Sequence, residues 1–151
     1  MGYRVVVAAD SAGYSYKELI LQDLESDRRV DEVIDAGLSE GEEIDYPHIA
    51  VKAARFITAG LADRGIFLCG TGMGVAISAN KVKGIRACTA HDSYSVERLV
   101  LSNNAQVLCL GARVIGPELA RRLAHEFLEY TFDPSSHSKP KVDEISFYEE
   151  S

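Results

Sequence analysis

Short apolar runs separated by amphipathic stretches constrain this chain more than any other feature. Val5, Val6, Val7, Ala8 and Ala9 form a run with no polar alternate, as in a strand covered on both faces, and it stops at Asp10-Ser11-Ala12-Gly13. Tyr16, Leu19, Ile20 and Leu24 then recur at helical spacing, with Lys17, Glu18, Gln22 and Asp23 on the other face. Further strand-like runs follow at 30–36, 65–68, 86–90 and 106–110. Helical stripes separate them: Ile49, Ala53, Phe56 and Ile57 behind Pro47; Val96, Leu99 and Val100; and Leu119, Leu123, Phe127 and Leu128 behind Pro117. A strand buried on both faces needs a helical layer above and below, and a strand–helix rhythm with short connections produces parallel crossovers. The expected fold is α/β: a Rossmann-like three-layer α/β/α unit around a five-stranded parallel sheet.

A chain of 151 residues suits one domain with a core that needs no staples. We place that domain at 1–133. The remainder, 134–151, changes character: Pro134-Ser135-Ser136-His137-Ser138-Lys139-Pro140-Lys141 is polar and turn-rich, and Val142, Ile145 and Tyr148 then suggest a short helix, either frayed or docked on a second subunit. The formal charge of −7 argues against nucleic-acid and anionic-membrane surfaces, yet leaves room for a local basic pocket that holds one phosphate. Cys69, Cys88 and Cys109 are odd in number and contain no C-x-x-C pair, so free thiols and a cytoplasmic setting are expected. The chain shows no charged-then-apolar leader and no apolar run near twenty residues.

Doubly wound sheets bind ligands beyond the carboxyl ends of their strands. That rule gathers Asp10-Ser11, Cys69-Gly70-Thr71, His91-Asp92 and Gly111-Ala112-Arg113 on one rim. Among them, Cys69-Gly70-Thr71-Gly72-Met73-Gly74 combines a thiol, a hydroxyl and three glycines where a strand should meet a helix. Glycines let backbone N–H groups approach an anion, and a cysteine at such an edge tends towards the reactive thiolate. A tight turn with a buried cysteine explains the same letters. Taken alone, Thr71 fits a helix N-cap, Asn103 a helix C-cap, and His91 a surface histidine.

Seven ordered blocks carry a resemblance: Asp10-Ser11-Ala12-Gly13, Asp45-Tyr46-Pro47-His48, Cys69 to Gly74, Ser78-Ala79-Asn80-Lys81, Gly84-Ile85-Arg86-Ala87, Asn103-Asn104-Ala105 and Gly111-Ala112-Arg113-Val114. Over nearly its whole length the chain resembles the type B ribose 5-phosphate isomerase and galactose 6-phosphate isomerase family, in the branch that uses a thiol as base. The resemblance implies a homodimer, or a tetramer of paired dimers, with active sites at the subunit interface. It also implies metal-free interconversion of aldose and ketose phosphates through a cis-enediolate, with no cofactor. Cys69 would be the base and Thr71 the proton shuttle; Gly70, Gly72, Gly74 and Asn103 would stabilise the enediolate. Asp10, Ser11, Tyr46 and His91 would line the sugar, and Arg113, His137 and Lys141 would hold the phosphate.

The departures from the pattern bear on the substrate. Ser11 and Ser102 stand where most members have histidine, the second of which the family assigns to opening a furanose ring. His137 and Lys141 align with two phosphate-gripping arginines, and a lysine supplies charge without a bidentate fork. A pentose 5-phosphate closes a ring through its free O4, whereas a tetrose 4-phosphate has O4 esterified and stays open. Ribose 5-phosphate/ribulose 5-phosphate is therefore rivalled by D-erythrulose 4-phosphate/D-erythrose 4-phosphate. Outside this class, a non-catalytic sugar-phosphate-binding protein would have no use for the thiol, and a thiol hydrolase would need His91 as its base. No G-x-G-x-x-G follows the first run, which argues against a dinucleotide site.

Overall fold

The computed structural model describes residues 1–149. In chain order its elements are β1(Tyr3–Ala9), α1(Tyr14–Glu25), β2(Val30–Asp35), α2(Tyr46–Thr58), β3(Arg64–Cys69), α3(Met73–Ala79), β4(Ala87–Thr89), α4(Ser93–Leu101), β5(Val107–Gly111), α5(Pro117–Phe127) and α6(Lys139–Tyr148). The five strands form one sheet in the order β2-β1-β3-β5-β4, and every pairing is parallel. The expected α/β/α architecture is the observed one.

Side chains leave successive strand residues on opposite faces, and here both faces are apolar. Val5, Val7, Ala9, Ile66, Leu68, Leu108 and Leu110 meet α1, α4 and α5. Val6, Ala8, Phe67, Cys69, Val107 and Cys109 meet α2 and α3. The buried face of α2 is made of Ile49, Ala50, Ala53 and Ala54, small enough to bring that helix close, while Phe56 and Ile57 are half-buried at its margin. Leu119, expected inside, is 38% exposed; Ala120, Leu123, Ala124 and Phe127 form the inner face of α5 instead. The fourth strand is shorter than its apolar run, because the Arg86 N–H is taken by the Gln106 side chain rather than by a strand partner.

Lys17 overturns its assignment to the solvent face of α1: it is fully buried. Its ammonium reaches both Asp35 carboxylate oxygens, at 3.0 and 2.9 Å, and Glu18 at 3.0 Å, while its stem lies against the Gly37 backbone. Burial pulls the ammonium's pKa down, but the bonds to Asp35 and Glu18 outweigh burial and the net direction is up. Helical periodicity cannot reveal this, since the partner lies at the end of β2. At the amino edge, Arg64 is likewise buried, donating to the carbonyls of Phe127 and Tyr130 and so closing the end of α5. Among the described residues no helix is long and apolar enough to cross a membrane.

Stranding the buried Lys17 ammonium costs more than removing it, because Asp35 and Glu18 are half-exposed and stay hydrated without it. Asp35→Asn should lower unfolding stability by about 2 kcal/mol, the half-exposed carboxylate softening the loss, whereas Lys17→Met should stay within about 1 kcal/mol of the parent. Urea unfolding midpoints at neutral pH check both; equal losses would show that the pairing is not what holds Lys17.

Candidate active site

In this strand order the chain leaves β1 towards β2 on one side and re-enters at β3 on the other. The crevice of a doubly wound sheet opens at such a switch point. Ala9 pairs with Leu68 and Cys69 with Gly111, so the ends of β1, β3 and β5 lie side by side. Past these ends the chains stay tied: Asp10 N–H donates to the Leu68 carbonyl at 3.3 Å, Ala112 N–H to that of Cys69 at 2.9 Å, and Arg113 N–H to that of Gly70 at 2.9 Å.

Cys69 is only 4% exposed, and its sulfur accepts the Gly72 N–H at 3.2 Å. Gly72 has φ +77°, a left-handed conformation that lets the chain double back over the sulfur and that side-chain-bearing residues resist. It is also walled in: a Cβ there would lie 2.8 Å from the Leu110 carbonyl carbon and 3.0 Å from the Gly111 nitrogen. Its carbonyl accepts the Thr89 hydroxyl at 2.7 Å. Thr71, exposed at the loop tip, accepts the Met73 N–H on its hydroxyl at 3.2 Å, while the N-cap position of α3 belongs to Gly72. The hydroxyl therefore stiffens the turn rather than capping the helix.

Several expected partners surround this loop. The Tyr46 ring lies against Gly74, where an added Cβ would fall 2.4 Å from the ring. The Arg113 guanidinium lies over Gly70, 3.0 Å from where a Cβ would stand. Asp10 is half-buried and accepts the Ala12 and Gly13 N–H groups on Oδ1 at 3.0 and 3.1 Å, which turns the chain into α1. Ser11 is exposed and borders a small cavity of about 170 Å³ with Tyr14, Leu38 and Glu42. His91 accepts the Gly111 N–H on Nε2 at 2.9 Å. Burial lowers the pKa of this imidazole, with Asp92 opposing. Thr89, whose bond orders the loop, was missed by sequence reasoning; its place two residues before His91 on the same strand end is the signal that could have found it.

Asn103, His137 and Lys141 stand apart. α4 runs from the carboxyl end of β4 back to the start of β5, so Asn103 sits at the amino edge of the sheet, near Gln106, whose backbone bonds Gly65 and Arg86. There it lines a groove of about 370 Å³ with Arg86, Cys88, Ile145 and Glu149. It is not the helix cap either: Ser102 fills that position, and Asn104 takes the left-handed turn with φ 47°. His137 and Lys141 are exposed on a tail held at that same edge, by Thr131 on the Tyr3 hydroxyl at 3.1 Å and by Glu149 on the Gly84 N–H at 3.1 Å. A larger concavity at the amino edge is walled by paired charges such as Arg4 with Asp63.

Residues 5–145 match the Ribose/Galactose Isomerase family. The chain belongs to that family. It is 55% identical over 150 residues to D-erythrulose-4-phosphate isomerase 2 of Mycolicibacterium smegmatis, with 99% of both chains covered. Against ribose-5-phosphate isomerase B of Escherichia coli the identity is 36% over 147 residues, with 97% of each covered. The type B ribose 5-phosphate isomerase structure of Leishmania infantum superposes with a TM-score of 0.94 at 34% identity, covering 99% of this chain and 98% of that one. Family membership makes the glycine loop at the β1/β3 switch point the place to look for chemistry.

A side chain at Gly72 would have to adopt the left-handed backbone and displace β5. Gly72→Ala should cost about 2 kcal/mol or more in stability and expose the Cys69 sulfur. Faster alkylation of Cys69 in the variant, read by peptide mass, is the expected result; unchanged reactivity would mean that this turn does not shield the thiol.

Proposed function

We propose that the protein is an aldose–ketose isomerase for a short sugar phosphate, interconverting D-erythrulose 4-phosphate and D-erythrose 4-phosphate by proton transfer. The buried Cys69 sulfur, accepting the Gly72 N–H beneath the glycine loop, is the observation that carries the reaction type. The Cys69 thiolate takes a proton from C1 of the ketose, and the electron pair becomes the C1=C2 bond of a cis-enediolate with charge on O2. Thr71 passes the O1 proton to O2, and the thiol returns its proton to C2, leaving the aldehyde at C1. The Gly72 N–H is directed at the sulfur and fixes its place beneath the loop. The developing oxyanion is assigned to the remaining N–H groups of the loop, a contribution of about 3–4 kcal/mol per donor in known oxyanion holes. Asp10 and Tyr46 flank the sugar, and Arg113 over Gly70 supplies the fixed positive charge.

Two features support the tetrose. Ser102 stands where the family's ring-opening histidine would serve a pentose, with Ser11 replacing a second family histidine, and the relatives at 55% and 45% identity are both named D-erythrulose-4-phosphate isomerases. Ribose 5-phosphate is the second reading, favoured by relatives with that name at 42% and 36% identity. The active unit is a homodimer: Asn103, His137 and Lys141, remote from Cys69 within one chain, complete the loop of the partner, and the tail from 134 onwards docks there. Neither a metal ion nor an organic cofactor enters these steps.

Cys69→Ala should reduce turnover by about a thousandfold or more while a non-isomerisable analogue still binds. Turnover that survives the substitution would point to a binding protein or to another base. With the parent enzyme, kcat/KM for D-erythrulose 4-phosphate should exceed that for ribose 5-phosphate by about tenfold or more; a ribose preference would overturn the tetrose assignment.

A further inference from the structure

In a parallel ladder, alternate peptide groups of one strand address opposite neighbours. On β5 the Ala112 N–H turns to β3 and reaches the Cys69 carbonyl, while the Cys109 carbonyl and the Gly111 N–H turn to β4. β4 ends at Thr89, and Ala90 makes the last backbone bond, to the Cys109 carbonyl at 3.3 Å. No strand carbonyl is left for Gly111, and the His91 imidazole stands in its place at 2.9 Å. A backbone N–H can only donate, so Nε2 must carry its lone pair and the ring proton must be on Nδ1.

The peptide held in this way is the one on which the reactive loop rests. Gly72 packs against the Leu110 carbonyl carbon and the Gly111 nitrogen, and a Cβ on Gly111 would lie 2.5 Å from both the carbonyl carbon and oxygen of Thr71. With the Thr89 hydroxyl gripping the Gly72 carbonyl, the end of β4 clamps the loop from two sides. We propose that His91 is a positioning residue: a neutral, Nδ1-protonated imidazole that fixes Gly111 and thereby holds the Gly72 N–H on the Cys69 sulfur and the Thr71 hydroxyl in place. The proposal rests on the reading of that loop as the proton-transfer centre. It assigns His91 a role exerted through the backbone and removes Nε2 from service as a ring-opening acid or base.

The tautomer is measured on the whole, unmodified chain labelled with ¹⁵N-histidine, by long-range proton–nitrogen correlation at neutral pH without substrate, with His91→Gln locating the signal. Protonation at Nδ1 alone is expected; protonation at Nε2, or of both nitrogens, overturns the proposal. In turnover, His91→Leu should lower kcat by about tenfold or more with KM changed less than about threefold, and His91→Gln, whose amide oxygen can accept from Gly111, should recover most of kcat. A large rise in KM at unchanged kcat, or glutamine no better than leucine, overturns it. If the leucine variant does not fold, the tautomer and the glutamine variant still decide. Because the tautomer is read without chemistry, it is separable from the fate of the Cys69 assignment, which Cys69→Ala tests.

Discussion

The parallel pairing of β1 with β3, and of β3 with β5, is the constraint on which the rest depends. Ala9 opposite Leu68, and Cys69 opposite Gly111, bring three strand ends into line. A shift of one residue in a parallel sheet would turn every inward side chain to the other face. Since both faces are packed by helices, the core fixes that register, and the register fixes where the thiol stands relative to Gly111 and Asp10. The geometry of the candidate site is thus a consequence of core packing, with the glycine loop as its visible end.

Much of this was legible in the residues. Strands buried on both faces announce themselves as unbroken apolar runs, so the sheet, its parallel sense and the rim that carries Cys69, His91 and Arg113 follow from hydrophobic pattern and one rule about switch points. What the pattern missed are features decided by tertiary partners. Lys17 looks like a solvent residue until Asp35 arrives from the end of β2. Leu119 looks like core until α5 turns Ala120, Leu123, Ala124 and Phe127 inward instead. Thr71 and Asn103 both suit helix caps, yet the chain gives those positions to Gly72 and Ser102. The family resemblance supplied an expected chemistry for the loop's letters; the Gly72 N–H on the sulfur and His91 under Gly111 are tertiary contacts that no local pattern encodes.

The topology also divides the candidate residues. Those that would move protons lie at the carboxyl rim, whereas Asn103 and the tail lie at the amino edge, a full strand length away. In the proposed homodimer each copy would offer its amino edge to the other's rim. Such an arrangement would separate two tasks, the rim being tied by core packing to the reaction and the edge and tail being free to change with the sugar. Serines at 11 and 102, with His137 and Lys141 on the tail, are the changes that a shorter, open-chain phosphate would permit.

Subunit complementation tests this composite site most directly. Cys69→Ala and Asn103→Ala chains, each inactive alone, are mixed, unfolded and refolded together. Sites built from two chains predict that mixed dimers regain one intact site each, so that about a quarter of the parent activity returns at random pairing. A mixture as inactive as its components would show that Cys69 and Asn103 do not serve one site across the interface, and would contradict the account.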